Sequence, residues 1–305
     1  MRRAPPIHVI AGGALALLLV LFFLPARIGA ADPESETLHQ TALRLVPLHT
    51  VKHPTQSGEW LAQHPENGQT FAAYVAGRPN RVEAQRTTLY LQPLGTFDAV
   101  RQRLITDTAD LLRRFYGTPV TIAGALNPDV IPTTARRMNP RGGQEQFLTG
   151  FVLDQVIKPR RPKDAVAVLA LTTTDLWPGD DWNFVFGQAS FTDRVGVWSL
   201  WRYGDPATDY PTCLRRTLKV ALHETGHMFG IAHCIAYECL MNGANSLPEG
   251  DAHPLHFCPE CEAKVWWACH SDPVKRYASL AEFAKTHQLV DEAAFWERSR
   301  QTLAP

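Results

Sequence analysis

The sequence predicts an α+β fold in which a mixed, twisted sheet packs against helices within one main domain. Hydrophobic residues make up 45% of the 305-residue chain, enough to bury a substantial single core. A near-continuous apolar run, Ala165–Leu171, is typical of a strand covered on both faces. Segments with helical spacing of apolar residues lie on both sides of this run. This order of segments favours a sheet with helices packed on it.

Upstream of the Ala165–Leu171 run, strand and helix signals alternate. Residues 87–92 are predicted to form a strand that Pro93 and Gly95 end. A helix is predicted next, ended by Gly117, because apolar residues recur there at helical spacing: Phe97, Val100, Leu104, Leu111, Leu112 and Phe115. Residues 118–125 then read as a second strand.

Prolines and apolar periodicity define the other elements. A long irregular loop is expected around Pro128, Pro132 and Pro140, and a helix is predicted over residues 144–157. Towards the carboxyl end, three further helices are predicted, over residues 259–269, 273–286 and 290–301. Their core anchors are expected to be Trp266, Trp267, Tyr277, Leu280, Phe283 and Phe295.

The charge balance bears on whether the chain binds nucleic acid. Thirty basic and thirty acidic side chains give a formal net charge of zero. The sequence has no basic patch interleaved with aromatic residues, so we expect no nucleic-acid partner. We expect a monomer.

The amino-terminal residues 1–31 have the composition of a targeting segment. Arg2 and Arg3 precede a largely apolar run over residues 7–24, and Gly29-Ala30-Ala31 supplies small residues of the kind that signal peptidase accepts. We therefore predict a signal peptide and an exported protein, periplasmic or extracellular. An uncleaved anchor through residues 7–24, facing outside, is the alternative, and a buried amino-terminal helix is a third interpretation.

Residues 32–85 separate this segment from the main domain, residues 86–305. They are rich in His, Pro, Gln and Asn, which favours an irregular extension lying on the domain. The histidines of this extension lack metal-ligand spacing, and most are expected to be solvated: His39, His49, His53 and His64.

A metal-binding motif lies at the end of a helix predicted over residues 214–229, which Thr212 can cap. Residues four apart share a helix face, so His223 and His227 can bind one metal ion with Glu224 beside them. Gly230 permits the left-handed backbone that ends a helix, which brings His233 to a third ligand position. The fourth position is left for water.

This motif predicts a zinc-dependent peptidase. Zinc would lower the pKa of a bound water, and Glu224 would take its proton as the water attacks a peptide carbonyl. The alternative is a helix whose histidines are merely hydrogen-bonded core residues. That alternative is common for His-Glu-x-x-His alone, but Gly230 and His233 in register favour the metal site.

Cys234 directly follows the third histidine, Cys239 and Met241 come next, and Cys258 with Cys261 forms a Cys-x-x-Cys pair. With these residues after it, the motif resembles that of the archaemetzincin family of the metzincin clan. Segments 90–95, 175–178, 182–189 and 196–203 also resemble that family, so the resemblance covers most of residues 86–270.

The resemblance implies a metzincin-like catalytic domain over residues 86–305 with two zinc ions, one catalytic and one structural. Carried over by position, three histidines bind the catalytic zinc, Glu224 is the general base and Met241 forms the Met-turn. The histidine ligands are His223, His227 and His233. The structural zinc lies near the carboxyl-terminal helices, and its ligands are Cys234, Cys239, Cys258 and Cys261.

The six cysteines allow a second interpretation, because an exported protein meets an oxidising compartment in which disulfides form. The spacing Cys-x₄-Cys followed by Cys-x-x-Cys fits a four-cysteine zinc site better than an arbitrary disulfide framework. We favour zinc. Cys213 and Cys269 fall outside the pattern and are either buried thiols or a disulfide.

An extended aromatic segment, Phe184-Val185-Phe186-Gly187-Gln188-Ala189, is the candidate substrate-binding strand. By resemblance to metzincins, a peptide substrate would add to it as an antiparallel partner above the zinc. An ordinary core strand is the alternative.

Two other functions are compatible with the same metal-binding residues. A zinc-binding protein with little peptidase activity would serve in binding or scaffolding, but such a protein has no use for a base at Glu224. A hydrolase acting on a non-peptide amide would use the same chemistry. The peptidase is the interpretation that the motif favours.

Overall fold

The computed structural model of the chain describes residues 33–305. The predicted targeting segment, residues 1–31, lies outside the described residues. None of the helices in residues 33–305 combines the length and the apolar character that crossing a bilayer requires.

Residues 33–85 alternate irregular chain with short helices: α1 (Pro33–Leu43), α2 (Trp60–Gln63) and α3 (Phe71–Ala76). Helix α1 places Ala42 in the main core, and α3 places Phe71 and Tyr74 there. The expectation of solvated histidines is wrong for His49: both of its ring nitrogens are buried without a hydrogen-bond partner among the described residues, and burial lowers its pKa to about 4. This segment therefore packs on the rest of the chain through specific side chains.

The larger sheet of residues 33–305 contains β1 (Thr88–Leu94), β2 (Val120–Ile122), β5 (Ala165–Thr172), β7 (Gly187–Ala189) and β8 (Val195–Ser199). Its strand order is β2-β1-β5-β8-β7. All neighbours are parallel except β7, which pairs antiparallel with β8 and stands at the end of the order. The predicted mixed sheet is confirmed, and the predicted first strand and the helix after it, α4 (Ala99–Tyr116), are found close to their expected bounds.

Apolar side chains cover both faces of the central strand β5, as its sequence predicts. Leu169 and Leu171 face the larger core with α4 and the carboxyl-terminal helices. Val168 and Ala170 face a smaller core on the opposite side of the sheet. Alternate residues of a strand point to opposite faces, so a strand between two cores is apolar throughout.

A smaller sheet lies beside the larger one and was not predicted. In the described chain it contains β3 (Arg136–Met138), β4 (Glu145–Leu148) and β6 (Asp175–Trp177), in the order β3-β4-β6. The predicted helix over residues 144–157 is wrong in its first turn, where β4 stands. Helical structure begins only with α5 (Thr149–Phe151) and continues as a π-helical stretch, Val152–Ile157.

Tertiary pairing explains this error. Gln146 in β4 is opposite Asp175 in β6, and its Nε2 atom donates to the Asp175 carboxylate at 2.8 Å. Arg202 also pairs with Asp175, with Nη2 2.6 Å from Oδ2. Helical periodicity does not reveal a partner that is distant in sequence. Here pairing with that partner makes the backbone extended rather than helical.

The second half of the domain is helical: α6 (Tyr210–Met228), α7 (Leu247–Ala252), α8 (Pro259–Cys269), α9 (Pro273–Thr286) and α10 (Val290–Leu303). The three predicted carboxyl-terminal helices are confirmed, and their predicted anchors are all buried. Helix α6 packs against β5, β7 and β8. The motif residues at its carboxyl end are thereby brought to the β7 edge of the larger sheet.

Candidate active site and cysteine cluster

Helix α6 holds the first two predicted ligands rigidly because one of its faces is core. Leu214, Leu218 and Leu222 are buried at spacings of four residues. The helix begins earlier than predicted, and its cap is Asp209 rather than Thr212: the Asp209 carboxylate accepts from the Thr212 backbone N–H at 3.2 Å. The helix ends at Met228, one residue before the predicted end.

The structure brings the three predicted histidine ligands together. One ring nitrogen from each of His223, His227 and His233 lies within 4.8 Å of the others. Three nitrogens bound to one zinc at about 2.0–2.1 Å would stand roughly 3.3 Å apart, so small rotations of the rings close the site. His227 is buried, and the other two are half-buried. The arrangement fits a zinc ion with one ligand position open to the cleft.

Each histidine ring is oriented through its Nδ1 atom. His223 Nδ1 lies 2.8 Å from the Leu240 carbonyl, and His227 Nδ1 lies 2.7 Å from the Ile231 carbonyl. His233 Nδ1 lies 2.8 Å from Glu66 Oε1. These oxygens only accept, so all three Nδ1 atoms carry the proton and the Nε2 lone pairs are free for a metal ion.

The site keeps the imidazoles of His223 and His227 neutral, which is the form that binds metal. Burial, reinforced by the neighbouring histidines, lowers the pKa of His223 well below its usual value. Burial is also the main reason that the pKa of His227 falls to about 3. A neutral imidazole needs no deprotonation before it binds zinc.

Glu224 lines the same cleft as the three histidines. Burial raises the pKa of this carboxyl to about 8, and its Oε2 atom has no hydrogen-bond partner among the described residues. Gly187 in β7 stands over it: a Cβ atom at Gly187 would lie 2.6 Å from Glu224 Oε1. The strand therefore reaches the carboxylate only because position 187 has no side chain.

Gly230 turns the chain towards the third ligand, as predicted. Its φ of +80° is the left-handed conformation that favours glycine, and a Cβ atom there would meet Pro79 at 2.8 Å. The amino-terminal segment holds this turn from outside. Tyr74 donates to the Phe229 carbonyl at 2.8 Å, and the Gln69 amide donates to the Gly230 carbonyl at 3.1 Å.

The four predicted cysteines form one buried cluster. Their sulfur atoms lie within 4.8 Å of one another, and Sγ of Cys234 is 3.6 Å from Sγ of Cys258. A disulfide would bring two sulfurs to about 2.05 Å. Four thiolates around one zinc at about 2.3 Å would be roughly 3.8 Å apart, close to the observed separation. All six cysteines of the chain are described, and all are free thiols.

The cluster is electrostatically suited to a cation. Hydrogen bonds from the other three thiols lower the pKa of Cys234, whereas burial and hydrogen bonds with Cys234, Cys258 and Cys261 raise the pKa of Cys239. Ionising one thiol therefore makes the next harder to ionise, and a bound divalent cation would offset that repulsion. Backbone N–H groups of Met241 and Cys258 donate to Cys239 Sγ at 3.4 and 3.2 Å.

One short loop connects the cysteine cluster to the histidines. The Leu240 carbonyl, which orients His223, belongs to the residue after Cys239. Asn242 ties this loop together: its side chain accepts from the Cys239 N–H at 2.9 Å and donates to the Cys234 carbonyl at 2.7 Å. Movement of the cluster would therefore displace the carbonyl that orients the predicted ligand His223.

Met241 lies beneath the active-site helix. It is fully buried, and its sulfur atom would lie 2.7 Å from a Cβ atom at Gly226, which stands between the two helical histidines.

The two remaining cysteines, Cys213 and Cys269, lie outside the cluster. Cys213 Sγ contacts the Tyr203 carbonyl at 3.1 Å, and burial raises the pKa of Cys269 to about 12.

The cleft above the histidines has a volume of about 1280 Å³ and is walled by β7 on one side. Of the predicted substrate segment 184–189, only Gly187–Ala189 forms a strand, and it has a strand neighbour on one side only within the described chain. Val185 instead bridges to Leu176 of the smaller sheet. The segment thus reaches from one sheet to the other along the cleft.

Several residues of this site carry no sequence signal. Glu66 and Trp60 come from the segment predicted to be an irregular extension, and Leu240 contributes a backbone atom. Gly187 belongs to the predicted substrate-binding segment, but its close approach to Glu224 Oε1 was not predicted.

Comparison with known proteins agrees with this geometry. The sequence model of Peptidase family M54 matches residues 155–266, which include both ligand sets. Archaemetzincin-2 of Macaca fascicularis is 31% identical over 283 residues, covering 80% of this chain and 76% of that protein. Human archaemetzincin-2 is 31% identical over 261 residues, covering 74% and 71%.

A solved structure shows the same fold. The crystal structure of archaemetzincin from Methanopyrus kandleri superposes with a TM-score of 0.51 at 28% identity, covering 62% of this chain and 98% of that one. The fold and these relatives define the chain as a zinc-dependent metallopeptidase. It belongs to the archaemetzincin family, and the predicted family and activity are confirmed.

Proposed function

We propose that the chain cleaves peptide bonds at the point where the three histidines and Glu224 meet, using a water that Glu224 activates. The observation that carries this proposal is that all three Nδ1 atoms are engaged, which leaves three Nε2 atoms for one metal ion next to a buried carboxyl. Zinc held there would act as a Lewis acid on the peptide carbonyl and lower the pKa of a water.

Glu224 has the properties of a general base. Burial raises its pKa to about 8, and a cation held by the histidines would bring that value back towards neutrality. A carboxyl with a pKa near the working pH accepts a proton efficiently and can return it to the leaving amine. Because Glu224 is buried beside His223, bulk water does not compete for the proton that its carboxyl accepts.

The substrate backbone would pair with the free edge of β7. Within the described chain the strand is hydrogen-bonded to β8 alone, with Gly187 opposite Trp198 and Ala189 opposite Gly196. An extended peptide added on the other side would satisfy the open N–H and C=O groups and lie across the cleft. Because Gly187 stands over Glu224, a peptide on this edge would pass directly above the base.

A second zinc ion in the four-cysteine cluster and a Met-turn at Met241 belong to the same proposal. The donor set is four buried sulfurs at separations that suit ZnS₄. Met241 packs against Gly226 from below, between the histidines of the helix. The cluster would hold the loop that carries Met241 and the Leu240 carbonyl.

We further propose that residues 1–31 direct export, by cleavage or as an anchor through residues 7–24, and that the enzyme is monomeric. The paired arginines, the apolar run and the small residues before Asp32 support export. Amino-terminal sequencing of protein from cell fractions, followed by size-exclusion chromatography, tests both statements. Unprocessed protein in the soluble cytosolic fraction would contradict the first, and a dimeric elution volume the second.

The substitution Glu224→Gln tests the catalytic step. It keeps the size of the side chain and removes the base, so we expect zinc content and melting temperature to stay near those of the parent. Hydrolysis of an unbiased peptide library should fall by at least about a hundredfold. Unchanged turnover in a variant with full zinc content would disprove the role of Glu224.

A further inference from the structure

The three histidines differ in what holds them. His223 and His227 donate to backbone carbonyls of Leu240 and Ile231, which belong to the motif and its following loop. His233 instead donates to a carboxylate, Glu66 Oε1, which is 167 positions away in sequence. The third ligand therefore depends on a part of the chain outside the residues that the family model matches, 155–266.

Glu66 is itself fixed in place. Its Oε1 atom also accepts from the Trp60 indole N–H at 2.9 Å, and the Trp60 ring packs edge-on against His233 with centroids 5.1 Å apart. Trp60 occupies the space over Gly243, where a Cβ atom would lie 2.4 Å from the ring. The carboxylate thus meets His233 in a geometry that packing determines.

The same amino-terminal segment also holds the backbone of the residue before His233. Gln69 Oε1 accepts from the Ala232 backbone N–H at 3.2 Å, and Lys264 donates to the Gln69 carbonyl at 2.5 Å. Glu66 and Gln69 therefore hold the side chain of His233 and the backbone before it.

The charge of Glu66 suits this contact. Glu66 Oε1 accepts two hydrogen bonds, from His233 Nδ1 at 2.8 Å and from the Trp60 indole N–H at 2.9 Å. An ionised carboxylate on Nδ1 fixes the ring orientation and tautomer, and it makes Nε2 a better donor to a metal ion.

We propose that Glu66 is a positioning residue of the catalytic zinc site, acting through His233. The role rests on the proposed zinc site at the three histidines, and Glu66 acts there through its hydrogen bond with His233 Nδ1. The segment before β1 is then part of the active enzyme rather than a dispensable extension.

Zinc affinity tests this proposal without relying on activity. In the full chain, zinc retention during dialysis against a graded series of a chelator would be compared for the parent, Glu66→Gln and Glu66→Ala. His233→Ala serves as the reference for a damaged catalytic site. We expect both Glu66 variants to release one zinc ion at about 10- to 100-fold lower chelator concentration, Ala more than Gln, because Gln can still accept from Nδ1.

A matched control lies in the same segment. Glu59 is a carboxylate that contacts His53 at 2.8 Å and is not hydrogen-bonded to the zinc ligands, so Glu59→Gln should leave zinc release unchanged. The Glu66 variants should also recover part of their peptidase activity in excess zinc, which a folding defect would not allow.

The possible results distinguish the positioning role of Glu66 from the proposed peptidase function. Parent-like zinc affinity in both Glu66 variants, with the parent active, would overturn the role of Glu66 alone. A parent that holds zinc at the histidines yet cleaves no peptide would overturn the proposed function and leave the affinity comparison still decisive for Glu66.

Discussion

At the scale of single residues, the geometry of the site depends on the Nδ1 atoms of its three histidines. These atoms are hydrogen-bonded and are not the ones offered to a metal ion. His223, His227 and His233 were predictable as ligands, because a motif records side chains and their spacing. Their Nδ1 partners were not predictable. Two are backbone carbonyls, which every residue possesses, and the third is Glu66, which no local pattern distinguishes from other carboxylates.

The raised pKa of Glu224 gives a pH dependence of stability. When the histidines hold no zinc, the folded state keeps the proton up to about pH 8, whereas the unfolded chain loses it near 4.5. Between these values the unfolded state binds fewer protons, so the free energy of unfolding should fall as pH rises. Glu224→Gln should lack this loss.

Denaturant unfolding of both proteins at pH 5 and pH 8, after removal of zinc from the histidines, measures the effect. The stability advantage of the Gln variant should grow between the two values. A constant difference would show that the carboxyl is not buried as described.

At the scale of elements, the helix α6 and the turn after it follow from local sequence, while the edge strand does not. Gly230 has the left-handed φ that its place in the motif predicts. Residues 184–189 have the composition of a strand, but only pairing with β8 decides that Gly187–Ala189 forms it. The error at β4 has the same origin, since Gln146 is extended to meet Asp175.

The close approach of β7 to the base predicts the effect of a single methyl group. In Gly187→Ala the new Cβ atom would lie 2.6 Å from Glu224 Oε1, so either the strand or the carboxylate must move. We expect kcat/KM for peptide hydrolysis to fall about a hundredfold with zinc content unchanged, since a displacement of about 1 Å has that effect.

Gly124→Ala is the control, because nothing in the described residues lies within 4 Å of a Cβ atom there. Equal activity of the two alanine variants would mean that β7 is not held against Glu224.

At the scale of the whole molecule, two ligand sets share one loop, and the amino-terminal segment contacts the histidine set through Glu66. The sequence spacing was sufficient to predict the cysteine cluster, and the structure confirms that the four sulfurs meet. Its connection to the histidines through Leu240 and Asn242 depends on backbone atoms and was beyond prediction. The smaller sheet also needed tertiary pairing to be recognised.

Structural zinc in the cluster would contribute folding free energy directly. Cys258→Ala should therefore lower the free energy of unfolding by about 4 kcal/mol or more and remove one zinc ion. Cys213→Ala is the matched control, because Cys213 is equally buried but lies outside the cluster.

We expect the Cys213 variant to keep its zinc and to melt close to the parent. If Cys258→Ala melted like Cys213→Ala and kept the same zinc content, the cluster would not be a structural metal site.

We propose that zinc at the three histidines drives peptide hydrolysis. The most direct test of this role is cleavage of an unbiased peptide library by the purified chain, before chelator, after chelator and after zinc is returned. We predict cleavage, then its loss, then its recovery. Cleavage that persists after the histidine-bound zinc has been removed, or no cleavage by protein that carries it, would contradict this role of the zinc.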